Sequence, residues 1–255
     1  MKLAIMQPYF FPYIGYFQAI SEVDKYILYG NVTFIKKGRL NRNQIVLKNG
    51  DILQILVPLI HKSSNVLISN VQIDNHQEWK KKILKTIYMN YKGSVSFDEV
   101  FQLLEDILRT EYNFLFDLNS QSIISIARFL DIQTEIACDN TKYFNLEKSL
   151  ISSELGTFDV LQDLMEIHPI TKVARILQMC KIENSNIYIN AIGGQNLYYK
   201  EEFAQYGINL KFLKSNEFTY RQFNNKFISK LSIIDVLMHN GKEGTKKLLK
   251  EYTLI

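Results

Sequence analysis

Residues 2–32, KLAIMQPYFFPYIGYFQAISEVDKYILYGNV, decide the fold because they read as strand, loop, helix and strand. The apolar run 2–6 predicts a strand, the pattern over 14–23 predicts a helix, and 25–32 predicts a second strand. These elements together form a βαβ unit. The loop after its first strand is then expected at the carboxyl edge of the sheet, where open α/β folds bind ligands.

The loop between this strand and this helix is both aromatic and stiff. Residues 7–17 hold six aromatic rings and two prolines. Pro8 and Pro12 have no backbone donor, and each pushes the residue before it toward an extended conformation. Such a loop either fills the end of a core with its rings or carries a site, and its place in a βαβ unit favours a site.

The rest of the chain alternates strands and helices in the same manner. We predict a hairpin with strands 44–48 and 51–58 around a type I′ turn at Asn49-Gly50, followed by a strand over 66–73. Helices are expected between 76 and 130, with breaks near 92–94 and 117–120 and caps at Ser96 and Asn119. A strand over 133–138 and helices over 158–167 and 170–180 come next. A second βαβ-like unit combines the strands 186–190 and 208–213 with a glycine-containing loop and a helix to about 206. Helices over 231–239 and 242–252, separated at Asn240-Gly241, close the chain.

This pattern predicts an α/β fold with a Rossmann-like, mostly parallel sheet, a β-hairpin and an added helical bundle. We expect residues 1–75 and 131–215 to form the sheet domain, and residues 76–130 and 216–255 to form the helical part packed on it.

The bulk composition excludes several classes of protein. The 30 basic and 26 acidic residues leave a net charge of +4 without a contiguous basic stripe, which argues against nucleic-acid binding. The cysteines Cys138 and Cys180 have no nearby partner and are expected as buried thiols in a reducing compartment. Neither a signal peptide nor an apolar run of about 18 residues is present, so we expect a cytoplasmic protein without membrane insertion.

Familiar catalytic motifs are absent from the sequence. No P-loop and no nucleophile elbow occur, and the four histidines lack the spacing of metal ligands, so we predict neither a metal site nor a bound cofactor. Gly193 and Gly194 follow a strand, where backbone amides meet phosphates in many folds, although this signal is weak.

The remaining candidates are polar. Asn41-Arg42-Asn43 precedes the hairpin, Gln7 opens the aromatic stretch, and Tyr220 and Gln222 precede Asp235. Arginine, amide and phenol groups orient phosphorylated, hydroxyl-rich ligands, and aromatic rings stack on bases or sugars. Asp235 is either a helix-end charge or a buried acid that anchors this network.

Nearly the whole chain resembles the WbqC-like family. The resemblance rests on the residues 4–17, Asn41-Arg42-Asn43, Trp79, Tyr91, the stretch 188–194, Tyr220, Gln222, Phe227, the stretch 231–235 and Gly241. The chain departs from the family pattern at Gly30-Asn31, where a pair of acidic residues is often expected, and it lacks the tryptophan that often precedes the Asn-Arg-Asn stretch.

This resemblance implies a role in bacterial surface-polysaccharide synthesis. The implied reaction is N-acylation of a nucleotide-linked amino sugar, with an acyl or aminoacyl group delivered as a phosphopantetheine thioester on an acyl carrier protein. The rival interpretations are a non-catalytic sugar-nucleotide-binding or scaffold protein of the same pathway, and an ATP-dependent amide ligase, which the absent P-loop disfavours.

On the leading interpretation, Gln7 and Asn43 are oxyanion or substrate-orienting donors, and Asp235 or His61 is the proton acceptor. We expect Arg42 to hold a diphosphate, and we expect the aromatic loop and residues 41–43 to line one pocket. The further substrate-binding candidates are Pro8, Tyr9, Pro12, Gly15, Tyr16, Asn41, Gly193, Gly194, Tyr220, Gln222 and Ser232.

Overall fold

The computed structural model describes residues 1–36, 38–60, 66–143, 146, 169–223 and 226–255. A six-stranded sheet forms its centre, in the order β5-β2-β1-β6-β7-β8. The strands are β1 (Lys2–Met6), β2 (Lys25–Leu28), β5 (Glu135–Ala137), β6 (Ile187–Ala191), β7 (Asn209–Ser215) and β8 (Tyr252–Leu254). Only β8 runs antiparallel to its neighbour. A separate antiparallel pair contains β3 (Arg42–Val46) and β4 (Ile52–Leu56).

Helices cover both faces of this sheet. Within the described ranges they are α1 (Ile14–Glu22), α2 (Trp79–Tyr91), α3 (Phe97–Arg109), α4 (Leu115–Phe129), α5 (Pro169–Ile182), α6 (Lys200–Ala204) and α7 (Ile233–Leu248). The predicted fold class, a mostly parallel α/β sheet with a hairpin and added helices, is therefore confirmed.

Strand β1 shows why both faces need cover. Ala4 belongs to one core, which also contains residues of α1, the hairpin, α2 to α4 and α7. Leu3 and Ile5 belong to the other core, with residues of α5 and α6. All three residues are buried, as expected for a parallel strand that is covered on both faces. The proposed division of the chain into a sheet domain and a helical part stays a prediction.

The hairpin is confirmed, but its predicted turn type is wrong. Leu47 and Asp51 form the closing pair, and the Gly50 N–H donates to the carbonyl oxygen of Leu47 at 2.8 Å. Only Gly50 has a positive φ, of 89°. The loop is therefore the three-residue kind, in which a turn is followed by one left-handed residue, whereas a type I′ turn would need two such residues.

Several predicted boundaries also differ from the structure. The second strand ends at Leu28, and the predicted strand over 66–73 is a short 3-10 turn, Ile68–Asn70, flanked by isolated bridges. The helical break lies at residues 110–114, between α3 and α4, so the predicted cap Asn119 lies inside α4. The last helix is predicted to reach residue 252, but α7 ends at Leu248. Tyr252–Leu254 instead form β8, whose backbone groups pair with those of β7 at the edge of the sheet. The helix predicted over 158–167 lies outside the described residues.

Other local predictions agree with the structure. The second βαβ unit is present as β6, α6 and β7, and β1 pairs in parallel with both β2 and β6. The predicted break at Asn240-Gly241 is also present, since Gly241 has a φ of 63° inside α7. There a side chain on residue 241 would also collide with Ser96, because a Cβ would lie 2.3 Å from its Oγ.

Candidate functional site

The order of the strands reverses between β1 and β6, and we call the space between the loops that follow these two strands the crevice. From β1 the chain proceeds to β2 and β5 on one side, and from β6 it proceeds to β7 on the other side. The loops after β1 and β6 therefore diverge at the carboxyl edge, at the kind of switch point where open α/β sheets bind ligands. Residues 7–13, which we call the aromatic loop, follow β1, and the turn Ile192–Asn196 follows β6.

Buried asparagines from outside the aromatic loop hold its carbonyl groups. Asn43 Nδ2 donates to the carbonyl oxygens of Phe10 at 3.0 Å and Phe11 at 2.6 Å. Asn119 Nδ2, from α4, donates to the carbonyl oxygen of Pro8 at 2.8 Å. Both asparagine side chains are buried, and a buried carbonyl left without any donor would cost about 1–3 kcal/mol of desolvation, so these bonds stabilise the loop.

Helices α1 and α7 close the same loop. Tyr16 Oη donates to the carbonyl oxygen of Gln7 at 2.8 Å, and Ser232 Oγ donates to that of Phe11 at 2.8 Å. Phe11 has a φ of 41°, a left-handed conformation that is strained for an aromatic residue. Its carbonyl oxygen accepts from both Ser232 and Asn43, and these bonds fix the strained conformation.

Four side chains at the mouth of the loop, which we call the polar rim, have at most one hydrogen-bond partner each among the described residues. The Gln7 amide and the Tyr9 and Tyr13 hydroxyls make no hydrogen bond to any described residue, and all three side chains are half-buried. Arg39 is exposed, and its Nη1 lies 3.4 Å from Asn43 Oδ1. Burial raises the pKa of Tyr9 and of Tyr13, and the positive charge of Arg39 opposes that rise. Both phenols are therefore protonated donors at neutral pH.

The rings of the rim rest on a rigid base. The Tyr13 ring lies over Gly15 so closely that a Cβ on residue 15 would be 2.3 Å from a ring carbon. Gly15 thus makes room for Tyr13. The Tyr9 ring lies 5.9 Å from that of Tyr16, which in turn lies 5.4 Å from the buried ring of Tyr26.

The predicted triplet at residues 41–43 lies beside the aromatic loop, but its side chains already have partners. Asn41 Nδ2 donates to the carbonyl oxygen of Val57 at 2.9 Å, which ties the two hairpin strands together. Arg42 Nη2 donates to the carbonyl oxygen of Lys36 at 2.9 Å. Since Asn43 also binds two carbonyl groups of the aromatic loop, the main role of the triplet is to support that loop.

The predicted residues Tyr220, Gln222 and Asp235 meet in a second, buried group. Asp235 Oδ1 accepts from Tyr91 Oη at 2.7 Å, and Oδ2 accepts from Tyr220 Oη at 2.7 Å and Gln222 Nε2 at 2.9 Å. The carboxylate is fully buried. Together with His239 we call this group the Asp235 cluster; it joins α2, α7 and the segment that precedes α7.

His239 completes this cluster without a hydrogen bond. Its Nε2 is buried and unpaired among the described residues, at 3.7 Å from Asp235 Oδ1, and its ring centre lies 4.5 Å from that of Phe223. Burial lowers the pKa of His239, while the charge of Asp235 opposes that shift. The imidazole is therefore neutral at neutral pH.

The two glycines after β6 differ in their surroundings. A Cβ on Gly193 would meet no atom within 4 Å, whereas a Cβ on Gly194 would lie 2.4 Å from Asn190 Nδ2. The Asn190 Oδ1 accepts from the N–H of Ala191 at 2.8 Å, which holds the amide against the turn. Gly194 thus permits this packing, and Gly193 leaves open space at the crevice.

The thiols add no nucleophile to the rim. Burial raises the pKa of Cys138, which is half-buried after β5, and raises that of Cys180 to about 12. His61 lies outside the described residues. Across the described ranges, no group of three or more His, Cys, Asp or Glu side chains is arranged to hold a metal ion.

Sequence reasoning missed Tyr13, Arg39 and Asn119 as parts of this arrangement. Tyr13 and Arg39 lie within or next to the motifs already singled out, so their positions alone were a usable signal. Asn119 had no such signal, because a buried asparagine inside a helix looks like a cap or a surface residue in sequence.

Comparisons with known proteins agree with the resemblance inferred from the motifs. Residues 7–247 match the WbqC-like protein family. An uncharacterized protein of Mycobacterium tuberculosis, Rv1507c, is 24% identical over 246 residues, which cover 95% of each chain. No solved structure matches the chain significantly. None of the helices in the described part of the chain is both long and apolar enough to cross a bilayer.

Proposed function

Because the chain belongs to the WbqC-like protein family, we propose that it binds a nucleotide-linked amino sugar in the crevice between β1 and β6 and acylates the sugar's amine. The polar rim is the observation that carries this proposal. In a loop whose carbonyl groups are held by buried partners, the side-chain polar ends of Gln7, Tyr9 and Tyr13 have no hydrogen-bond partner in the described part of the chain. None of these ends is among the buried, unsatisfied atoms of the described residues, so they are accessible donors that a ligand with acceptor groups can bind.

A sugar nucleotide offers groups that match the rim. Its hydroxyls and phosphate oxygens accept hydrogen bonds from phenol and amide donors, and its base or sugar ring stacks on tyrosine. The open space at Gly193, on the other side of the crevice, leaves room for the ligand to approach the backbone.

The acyl transfer needs few protein groups. The neutral amine nitrogen attacks the thioester carbonyl carbon, so a C–N bond forms and the C–S bond breaks. The amine loses a proton, and the sulfur leaves as a thiol on the carrier's phosphopantetheine arm. Gln7 is the remaining candidate donor for the oxyanion, because the amide of Asn43 is already engaged with two backbone carbonyl groups. The acyl carrier protein is then the second partner.

A non-catalytic sugar-nucleotide-binding or scaffold protein is the second candidate. One observation favours it: the carboxylate of Asp235, a predicted proton acceptor, is paired inside the Asp235 cluster, away from solvent. A binding protein would need the rim but no base.

Thermal stabilisation by a panel of UDP-, dTDP-, GDP- and CMP-linked sugars tests the proposal. A ligand at 100 times its dissociation constant stabilises the folded state by about 2.7 kcal/mol. The sugar nucleotide that binds is then offered in its amino form with an acyl-thioester carrier protein, and amide product is followed by mass spectrometry. Binding with turnover supports the transferase, binding without turnover supports the second candidate, and the absence of binding contradicts both.

A further inference from the structure

We infer that Arg39 recognises the diphosphate of the ligand, although this residue belongs to none of the motifs that indicate the family. The inference deepens the proposed function and rests on it for the identity of the ligand. It concerns the charge that the rim presents, and it can be tested with a simple anion.

The position of Arg39 supports this role. Its guanidinium lies 3.4 Å from Asn43 Oδ1, and Asn43 in turn binds the carbonyl oxygens of Phe10 and Phe11. The carbonyl oxygen of Arg39 accepts from the N–H of Phe10 at 3.4 Å. Both ends of the residue are therefore held beside the aromatic loop, while its side chain stays exposed.

Arg39 has a charge that no described residue compensates. No carboxylate among the described residues lies within ion-pair distance of it, and its single side-chain hydrogen bond goes to a neutral amide at 3.4 Å. By contrast, Arg42 donates to the carbonyl oxygen of Lys36 at 2.9 Å and to Asn41 Oδ1 at 3.5 Å. Of the two arginines near the loop, Arg39 has the freer guanidinium.

The surroundings of Arg39 also favour an anion. The hydroxyls of Tyr9 and Tyr13 are protonated donors without a partner among the described residues, and the positive charge of Arg39 opposes the rise in the pKa of both. Helix α1 begins at Ile14, directly after the aromatic loop, and its first turn has no acidic side chain. The positive end of the helix dipole therefore adds to the charge of Arg39. An arginine fork with neutral donors around it fits two neighbouring phosphate groups.

A diphosphate can come from the sugar nucleotide or from coenzyme A, which carries the same group. We therefore propose to measure binding of inorganic pyrophosphate, of the sugar nucleotide from the panel, and of coenzyme A by isothermal titration calorimetry. The variants are Arg39→Gln, Arg39→Lys and Arg42→Gln, with Arg128→Gln as control because Arg128 is an exposed arginine near the end of α4.

Wild-type protein should bind pyrophosphate, and Arg39→Gln should weaken that binding at least about tenfold, the loss expected for one charge-assisted contact. Arg39→Lys should lose several-fold because it keeps the charge but not the fork. Arg128→Gln should change the affinity less than about twofold, since it removes the same charge far from the rim. Melting curves exclude misfolding as the cause of a lost affinity, because those of the four variants should overlay that of the wild type.

Different failures have different meanings. If wild-type protein binds pyrophosphate but no sugar nucleotide, the anion site stands and the proposed function falls; tight binding of coenzyme A would then identify the acyl donor as the source of the diphosphate. If a sugar nucleotide binds and Arg39→Gln leaves its affinity unchanged, the inference falls and the proposed function stands. Loss of pyrophosphate binding in Arg42→Gln alone, or no binding by wild-type protein, also overturns the inference.

Discussion

The polar rim and the Asp235 cluster are built from the same residue types but differ in how their polar ends are paired. Each contains two tyrosines, a glutamine and a charged side chain. In the cluster, the phenols of Tyr91 and Tyr220 and the amide of Gln222 all donate to one buried carboxylate. In the rim, the phenols and the amide have no partner among the described residues. Composition alone therefore does not separate a binding surface from a support; pairing and burial do.

This difference leads to opposite expectations for mutations. Removing a member of the paired cluster leaves buried donors unsatisfied and must lower stability. On our proposal, a polar end of the rim contacts only the ligand, so removing it should lower affinity and leave stability unchanged. The following predictions test this contrast, from the largest expected effect to the smallest.

Asp235→Asn should give the largest loss of stability. The amide keeps the shape but loses the charge, and it turns an N–H₂ group toward hydroxyl or amide donors. We expect the free energy of unfolding to fall by about 3 kcal/mol, as for breaking a charged buried network. Urea denaturation measures this loss. A variant of wild-type stability whose turnover falls by about 10²-fold would instead place Asp235 in the chemistry.

Asn43→Ala should cost somewhat less, because it removes bonds to neutral carbonyl groups. Both Phe10 and Phe11 lose a donor, so we expect a loss of about 2 kcal/mol. Gln54→Ala is the matched control, since Gln54 is exposed on β4 and should change stability by less than about 0.5 kcal/mol. Equal melting temperatures for the two variants would mean that Asn43 does not brace the loop.

The buried imidazole of His239 should make stability depend on pH. Burial lowers its pKa in the folded protein, so the unfolded chain binds more protons as the pH falls through its ordinary value of about 6.5. The stability that His239 contributes is therefore present above that value and is lost below it. Between pH 7.5 and 5.5 the wild type should lose more stability than His239→Gln, while carboxylates shared by both proteins cancel in the comparison. Parallel pH profiles would show that His239 does not titrate differently on folding.

The smallest effect on stability is expected for Tyr13→Phe, which removes a hydroxyl that has no partner in the described ranges. Its melting temperature should equal that of the wild type, while affinity for the sugar nucleotide should drop by a few-fold, as for one neutral hydrogen bond. Tyr16→Phe is the matched contrast, because the Tyr16 hydroxyl donates to the carbonyl oxygen of Gln7 and its loss should cost about 1 kcal/mol of stability. If Tyr13→Phe lowers stability as much as Tyr16→Phe, the distinction between rim and support fails.

The architecture could be predicted from local sequence signals. The apolar strand, the proline-spaced loop and the helix that follows are set by the periodicity of residues 2–22 and by the backbone limits of Pro8 and Pro12. Gly50 and Gly241 likewise mark a turn and a helix break because each adopts a positive φ that other residues avoid. The prediction of a strand over 66–73 is wrong because alternating apolar and polar residues also occur in a segment that pairs with neighbouring segments only through isolated β-bridges.

What the sequence by itself determined is the fold class, the stiff loop at the carboxyl edge and the set of polar residues near it, since these depend on neighbours along the chain. Only the tertiary structure decided which of these polar groups are paired. Asn43, Ser232 and Asp235 meet partners that are many residues away. Among the described residues, the Tyr13 hydroxyl has no hydrogen-bond partner, and Arg39 has one neutral acceptor, Asn43 Oδ1, but no carboxylate. A hydrogen bond depends on distances of a few tenths of an ångström between distant segments, and no local pattern encodes them.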